Sequence, residues 1–188
     1  RALEAAVLVA APILISAGAV LLMLPPRSEP VLAHAVGGFS ELLSIPFVSD
    51  PFTALMLLVT SLSTLAASVF LMLTGEARYR FVPPLVLLLT AGVNGALLTG
   101  DLFNLFVWVE VMLMPSYALI AVTGTWRRLG IGRLFVLVNL LTSTLLLIGV
   151  GFVYGTAGTV NLAALAGVGS EDPRTAAALA LVLLALAV

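Results

Sequence analysis

The chain of 188 residues is 62% hydrophobic and only 9% charged, with a mean hydropathy of +1.23. A soluble domain of this size does not reach such values, so the chain reads as an integral membrane protein. A net charge of −1 leaves no basic patch for nucleic acid, and the lack of cysteine excludes disulfides, thiolate metal sites and cysteine nucleophiles.

Six apolar blocks follow in chain order, at 3–24, 52–73, 82–99, 102–122, 134–154 and 175–188. A hydrocarbon core of about 30 Å needs about 20 helical residues, and backbone groups in lipid must be bonded within their own segment. The expected fold is therefore all-α: a polytopic transmembrane bundle of about six spanning segments, forming a single domain over 1–188. The sixth block is short and stops in mid-pattern at Val188, and the first residue is Arg1, so the expectation is an excerpt of a longer polypeptide.

Between the blocks stand Pro25-Pro26, Asp50-Pro51, Gly75, Pro83-Pro84, Gly100-Asp101, Gly130 with Gly132, and the stretch 167–173. Thr99-Gly100-Asp101 is the tightest joint and makes the third and fourth helices an antiparallel pair. The segment 25–50 is longer. Within it 31–36 and 39–48 flank Gly37-Gly38, a modest hairpin signal for an extracytoplasmic loop.

All eight basic residues are arginines. Arg78 and Arg80 fall between the second and third blocks, Arg127, Arg128 and Arg133 between the fourth and fifth, and Arg1 precedes the first. Those positions alternate onto one side, while the other holds only Arg27 and Arg174. The positive-inside rule puts the first group in the cytoplasm, and Asp101 with the 25–50 loop outside.

Glu110 is the only ionisable group within an apolar stretch that includes Phe106, Val107, Trp108, Val111, Met112 and Leu113. It lies nine residues beyond Asp101, about 13.5 Å at the helical rise, near the membrane midplane. At the centre of a spanning helix an ionisable side chain is disfavoured by about 2.5–3.5 kcal/mol, and such residues mark ion or proton paths. Desolvation favours a neutral carboxyl and a nearby cation favours the charged form, so an alternating cationic partner makes Glu110 a proton relay. No arginine stands at that depth, and His34 is in the outer loop.

Polar residues that would line such a path are Asn94 on the third helix, Tyr117 on the fourth, and Asn139, Thr142 and Ser143 on the fifth. The competing reading is packing, since Ser, Thr and Asn join spanning helices by hydrogen bonds. Thr60, Thr64 and Ser68 read as a packing stripe, and Gly151 with Gly155 as a site of close helix contact. Asp101 and Asn104 suit the cap of the fourth helix, with an outer cation mouth as the alternative for Asp101. No cofactor motif or metal-ligand cluster is evident.

The run 91–113, with Gly92, Asn94, Gly95, Thr99, Gly100, Asp101, Asn104, Trp108 and Glu110 in place and continued at Ser116, Tyr117 and Ala118, resembles the D subunit of Mrp-type multisubunit sodium/proton antiporters. Weaker similarity covers most of the chain, including 49–52 and 155–162. The resemblance implies membership of the antiporter-like superfamily shared with respiratory complex I and membrane-bound hydrogenases. There the glutamate of this motif, which maps onto Glu110, is the functional acid, paired with a lysine on a discontinuous helix further along. That lysine and a second half-channel would lie beyond Val188, and one helix would be missing upstream. Met114-Pro115 departs from the family pattern, with a kink expected one turn past Glu110.

The implied function is a non-enzymatic, proton-translocating subunit of a cation/proton antiporter in the cell membrane. Its partners would be protons, Na⁺, the lipid bilayer and other membrane subunits. Two alternatives stand: a redox-driven proton-pumping subunit, and a membrane scaffold in which Glu110 is a relic.

Overall fold

The computed structural model describes residues 2–24, 31–38, 44–122 and 124–187. Among them lie seven α-helices: α1 Ala2–Met23, α2 Pro51–Thr74, α3 Val82–Leu98, α4 Leu102–Ala121, α5 Trp126–Ala157, α6 Val168–Glu171 and α7 Pro173–Ala187. A two-stranded sheet, β1 Leu32–Ala35 and β2 Pro46–Ser49, precedes α2. Helices α1, α2, α4 and α5 are long and apolar enough to cross a membrane, while α3 and α7 are shorter apolar helices of 17 and 15 residues.

Large apolar side chains point outward: Leu73 is 82% exposed and Leu14 71%, whereas Ser61, Ser68 and Thr175 are fully buried. This inversion of a soluble core belongs to a bundle whose outer solvent is lipid, held inside by small and polar residues. The hydroxyls of Ser16 and Ser61 share a 2.8 Å hydrogen bond between α1 and α2. Of the packing stripe read at Thr60, Thr64 and Ser68, Ser68 is fully buried and Thr60 and Thr64 are half-buried, their hydroxyls donating to the carbonyls of Met56 and Thr60 on their own helix.

Helix ends follow local chemistry. Asp50 caps α2 by accepting from the Thr53 N–H at 2.6 Å, Pro51 fills the first turn, and Gly75 ends the helix at φ 79. Asp101 caps α4 through the Asn104 N–H at 2.8 Å. Helix α4 then runs unbroken through buried Pro115, whose ring nitrogen cannot donate to the Val111 carbonyl.

The sequence placed the start of the fifth helix eight residues too late. Arg127, Arg128 and Arg133 stand on the first turns of α5 and not in a connection, and Gly130 and Gly132 are helical. Glycine costs a helix only about 1 kcal/mol, and at Gly132 a Cβ would make a tight contact, 3.2 Å from Ile120 Cγ2. The close contact expected at Gly151 and Gly155 is not made among the described residues, none of which lies within 4 Å of a Cβ at either position.

In the 25–50 segment the strands pair antiparallel from Leu32↔Ser49 to Ala35↔Pro46. Gly37 has φ 77, yet the strands are joined through residues 36–45 and not by a two-residue turn at Gly37-Gly38. Residues 39–43 of the expected second strand lie outside the described residues. The pair docks on the α3–α4 joint, where the Gly100 N–H donates to the Pro46 carbonyl at 2.9 Å. On the joint's other side the Leu102 N–H donates to Val160 O and the Leu162 N–H to Gly100 O, both at 2.9 Å.

Helices α3 and α4 meet backbone to side chain. A Cβ on Gly92 would lie 2.7 Å from the Met112 backbone nitrogen, and one on Gly95 would lie 2.2 Å from the Trp108 ring. Gly92→Ala is therefore expected to destabilise the protein by about 1–3 kcal/mol through overpacking, and Gly151→Ala to leave it unchanged or slightly stabilised. Unfolding midpoints of the two purified variants measure the difference.

Candidate functional site

The α3–α4 contact sets the depth of the candidate residues. With Gly92 against Met112 and Gly95 against Trp108 on antiparallel helices, Asn94 comes level with Val109 and Glu110. Three buried polar atoms at this level have no hydrogen-bond partner among the described residues: Asn94 Oδ1, Trp108 Nε1 and Glu110 Oε1. An orphaned buried polar group costs about 1–3 kcal/mol, so a concentration of them marks a place where water or a moving ion completes the bonding. In the sequence Trp108 is one of the apolar neighbours of Glu110. Its indole does pack on Gly95, but the stranded N–H is legible only once that packing is known.

Direction separates these atoms. Trp108 and Met112 face α3, and Glu110 stands two residues from each, roughly 160–200° around the helix. Glu110 thus lies on the flank of α4 turned away from α3. Asn94 is matched to it in depth and is not its direct neighbour across the helix contact.

Tyr117 shares the Glu110 flank at i+7. Its ring meets Phe135 of α5 edge-on, with centroids 5.5 Å apart. Gly132, Phe135 and Leu146 mark the stripe of α5 that faces α4, and helical spacing puts Asn139, Thr142 and Ser143 on the same stripe. Asn139 Nδ2 donates to the Phe135 carbonyl at 2.7 Å, and the Thr142 hydroxyl to the Val138 carbonyl at 3.0 Å. Each of these side chains thus bonds to a carbonyl of its own helix. Ser143 is buried.

Asp101 is 8% exposed and committed to structure. Besides capping α4, it pairs in a bridge with Asn161, and Asn104 Nδ2 donates to Thr99 Oγ1 at 2.8 Å beside it. A separate cavity of about 360 Å³ between α2, α3 and the end of α4 is lined by Thr64, Glu76, Tyr79 and Thr90 among others, and does not include Glu110. Among the described residues no group of His, Cys, Asp and Glu forms a metal cluster.

Residues 99–188 match the family model described as NADH:quinone oxidoreductase/Mrp antiporter, transmembrane. The D subunit of a probable K⁺/H⁺ antiporter from Rhizobium meliloti is 44% identical over 133 residues, which is 71% of this chain and 25% of that one. The D subunit of the Na⁺/H⁺ antiporter from Bacillus subtilis is 38% identical over 143 residues, 75% of this chain and 29% of that one. In the solved Mrp complex from Dietzia sp. a chain superimposes with a TM-score of 0.94 at 53% identity, covering 98% of this chain and 35% of its own length. This chain is similar to the D subunits of Mrp-type antiporters. It is a multi-pass membrane protein and spans about a quarter of the length of those curated relatives. An archaeal membrane-bound sulfane sulfur reductase also aligns, with a TM-score of 0.74 at 25% identity over 97% of this chain and 44% of that one.

The Asp101 geometry makes a separable prediction for this antiporter-like segment. Asp101→Asn keeps a good cap and is expected to unfold like the parent, whereas Asp101→Ala is expected to lose about 1–2 kcal/mol. A loss of cation transport in the stable Asn variant would support the outer-mouth role.

Proposed function

We propose that the chain is part of a proton-translocating subunit of a multisubunit monovalent cation/proton antiporter, with Glu110 as its protonatable switch. The observation that carries this reading is the buried, unpartnered Glu110 Oε1 on a spanning helix, level with the orphaned atoms of Asn94 and Trp108. A carboxyl group retained at that depth without a fixed partner suits proton exchange better than packing.

In this mechanism the neutral carboxyl tolerates its apolar surroundings, and an approaching cation favours the carboxylate and releases H⁺. The described arginines stand near helix starts and joints, so the cation is a lysine elsewhere in the subunit, as the resemblance implies. Water reaches Glu110 along Tyr117, Asn139, Thr142 and Ser143 on the α5 side, and Asn94 hydrates the same level from α3. The arginine-rich ends face the cytoplasm, and the β1–β2 pair with the 99–101 joint faces outward.

A second reading keeps the Glu110 chemistry and changes its energy source. Similarity to a chain of an archaeal respiratory membrane complex favours proton pumping driven by electron transfer.

In vesicles carrying the assembled complex, Glu110→Gln is expected to reduce Na⁺- or K⁺-dependent proton movement to the background of empty vesicles. Glu110→Asp should retain a measurable fraction. Undiminished antiport in an assembled Glu110→Gln complex would remove Glu110 from the mechanism. Proton movement that follows an electron donor and ignores cation gradients would select the second reading.

A further inference from the structure

Helices α2 and α3 leave a furrow between them. Its main part is the cavity of about 360 Å³, walled by Ala67 and Phe70 of α2 and by Val86 and Leu89 of α3, with Glu76 and Tyr79 of the joint between the two helices at one end. A second cavity of about 230 Å³ shares Thr64, Leu89 and Thr90 with it and continues to Thr60 and Val93. Ten residues separate Thr64 from Thr74 at the end of α2, about 15 Å at the helical rise, which is the depth of one leaflet of a hydrocarbon core about 30 Å thick.

Width and polarity decide what fits there. A volume of about 360 Å³ over about 15 Å gives a mean cross-section of about 24 Å², whereas a helix with its side chains is about 10 Å across, or about 80 Å² in section. A helix is therefore too thick, and a single extended hydrocarbon chain is not. The hydroxyls of Thr64 and Thr90 donate to the Thr60 and Val86 carbonyls at 2.9 and 2.8 Å, so their protons are spent within their own helices and the walls suit an apolar occupant. The end at the joint is different. Glu76 is exposed and is the only charged residue among the described lining. Arg78 turns to the other side of the joint, where it lines a cavity with Glu4 and Pro83, and the Arg80 guanidinium stands 5.6 Å from the centre of the Phe81 ring. Tyr79 is 49% exposed, as tyrosines are at the headgroup level of a bilayer.

We propose that this furrow holds one acyl chain of a phospholipid whose headgroup carries an ammonium, with that ammonium on the Glu76 carboxylate and the phosphate toward the Tyr79 hydroxyl and Arg80. Charge selects the headgroup: a carboxylate as the only lining charge disfavours a purely anionic lipid and favours one that brings a cation to it. With the arginine-rich ends in the cytoplasm, the site belongs to the inner leaflet. This binding is independent of which ion the subunit moves and of what drives it.

The test uses the assembled complex in phosphatidylglycerol vesicles that contain a trace of either phosphatidylethanolamine or phosphatidylglycerol carrying a photoreactive diazirine in its acyl chain. Labelled peptides are identified by mass spectrometry. The ethanolamine probe is expected to label the furrow walls on α2 and α3 about twofold to fivefold more than the glycerol probe, the scale of one exposed ion pair. Glu76→Gln should bring the two probes level. Ala67→Phe fills the furrow and should lower its labelling by both probes severalfold. Both substitutions are at exposed positions, and unfolding midpoints equal to the parent's make a loss of labelling a loss of binding. Glu110→Gln should leave the labelling unchanged whatever it does to transport, so the lipid site and the switch stand or fall separately. Equal labelling by the two probes in the wild type, a preference that survives Glu76→Gln, or undiminished labelling in Ala67→Phe overturns the site. So does labelling that spares the furrow walls, which would mean that another subunit covers them.

Discussion

The approach of α3 to α4 at Gly92 and Gly95 is the constraint on which the rest of this bundle depends. Two missing side chains let a backbone nitrogen and an indole ring occupy space that any Cβ would fill. In lipid, where apolar surfaces gain nothing by finding each other, such close packing and a few hydrogen bonds hold helices together. Here the same contact also sets the depth register. It brings Asn94 level with Glu110, turns Trp108 inward, and by helical geometry directs Glu110 to the opposite flank, toward the edge of α5.

Most hydroxyls and amides of the spanning helices are neutralised locally. Thr60, Thr64, Thr90, Thr142 and Asn139 all donate to carbonyls on their own helices, which is how a polar side chain survives in hydrocarbon without a tertiary partner. Asn94, Trp108 and Glu110 are different because each keeps a buried polar atom unmatched at one depth. That contrast, more than the presence of a glutamate alone, is why this level reads as a place for water and protons.

The outer end is organised by backbone bonds. Three N–H donations tie the 99–101 joint to β2 on one side and to 160–162 on the other, so the start of α4 is held by strands and not only by its cap. The consequence reaches inward, since Glu110 hangs from this end at a distance set by helical rise. The same stitching leaves a cavity of about 310 Å³ beside the Asp50 cap.

Apolar block length was enough to read an all-α membrane bundle, and the short polar residue before Leu102 was enough to read the cap at Asp101, because those signals are local. Glu110 was visible as the lone ionisable group in its block for the same reason. The start of α5 was not legible: glycines and arginines resemble a joint, yet Gly130 and Gly132 are helical. The Ser16–Ser61 bond, the empty surroundings of Gly151 and Gly155, and the opposite facing of Asn94 and Glu110 depend on which helices are neighbours. Chain composition and spacing determined which segments are apolar enough to cross the membrane and which residues are candidates for its chemistry. Tertiary packing alone decided which of them share a depth, a flank or a partner, because those relations arise between segments distant in sequence.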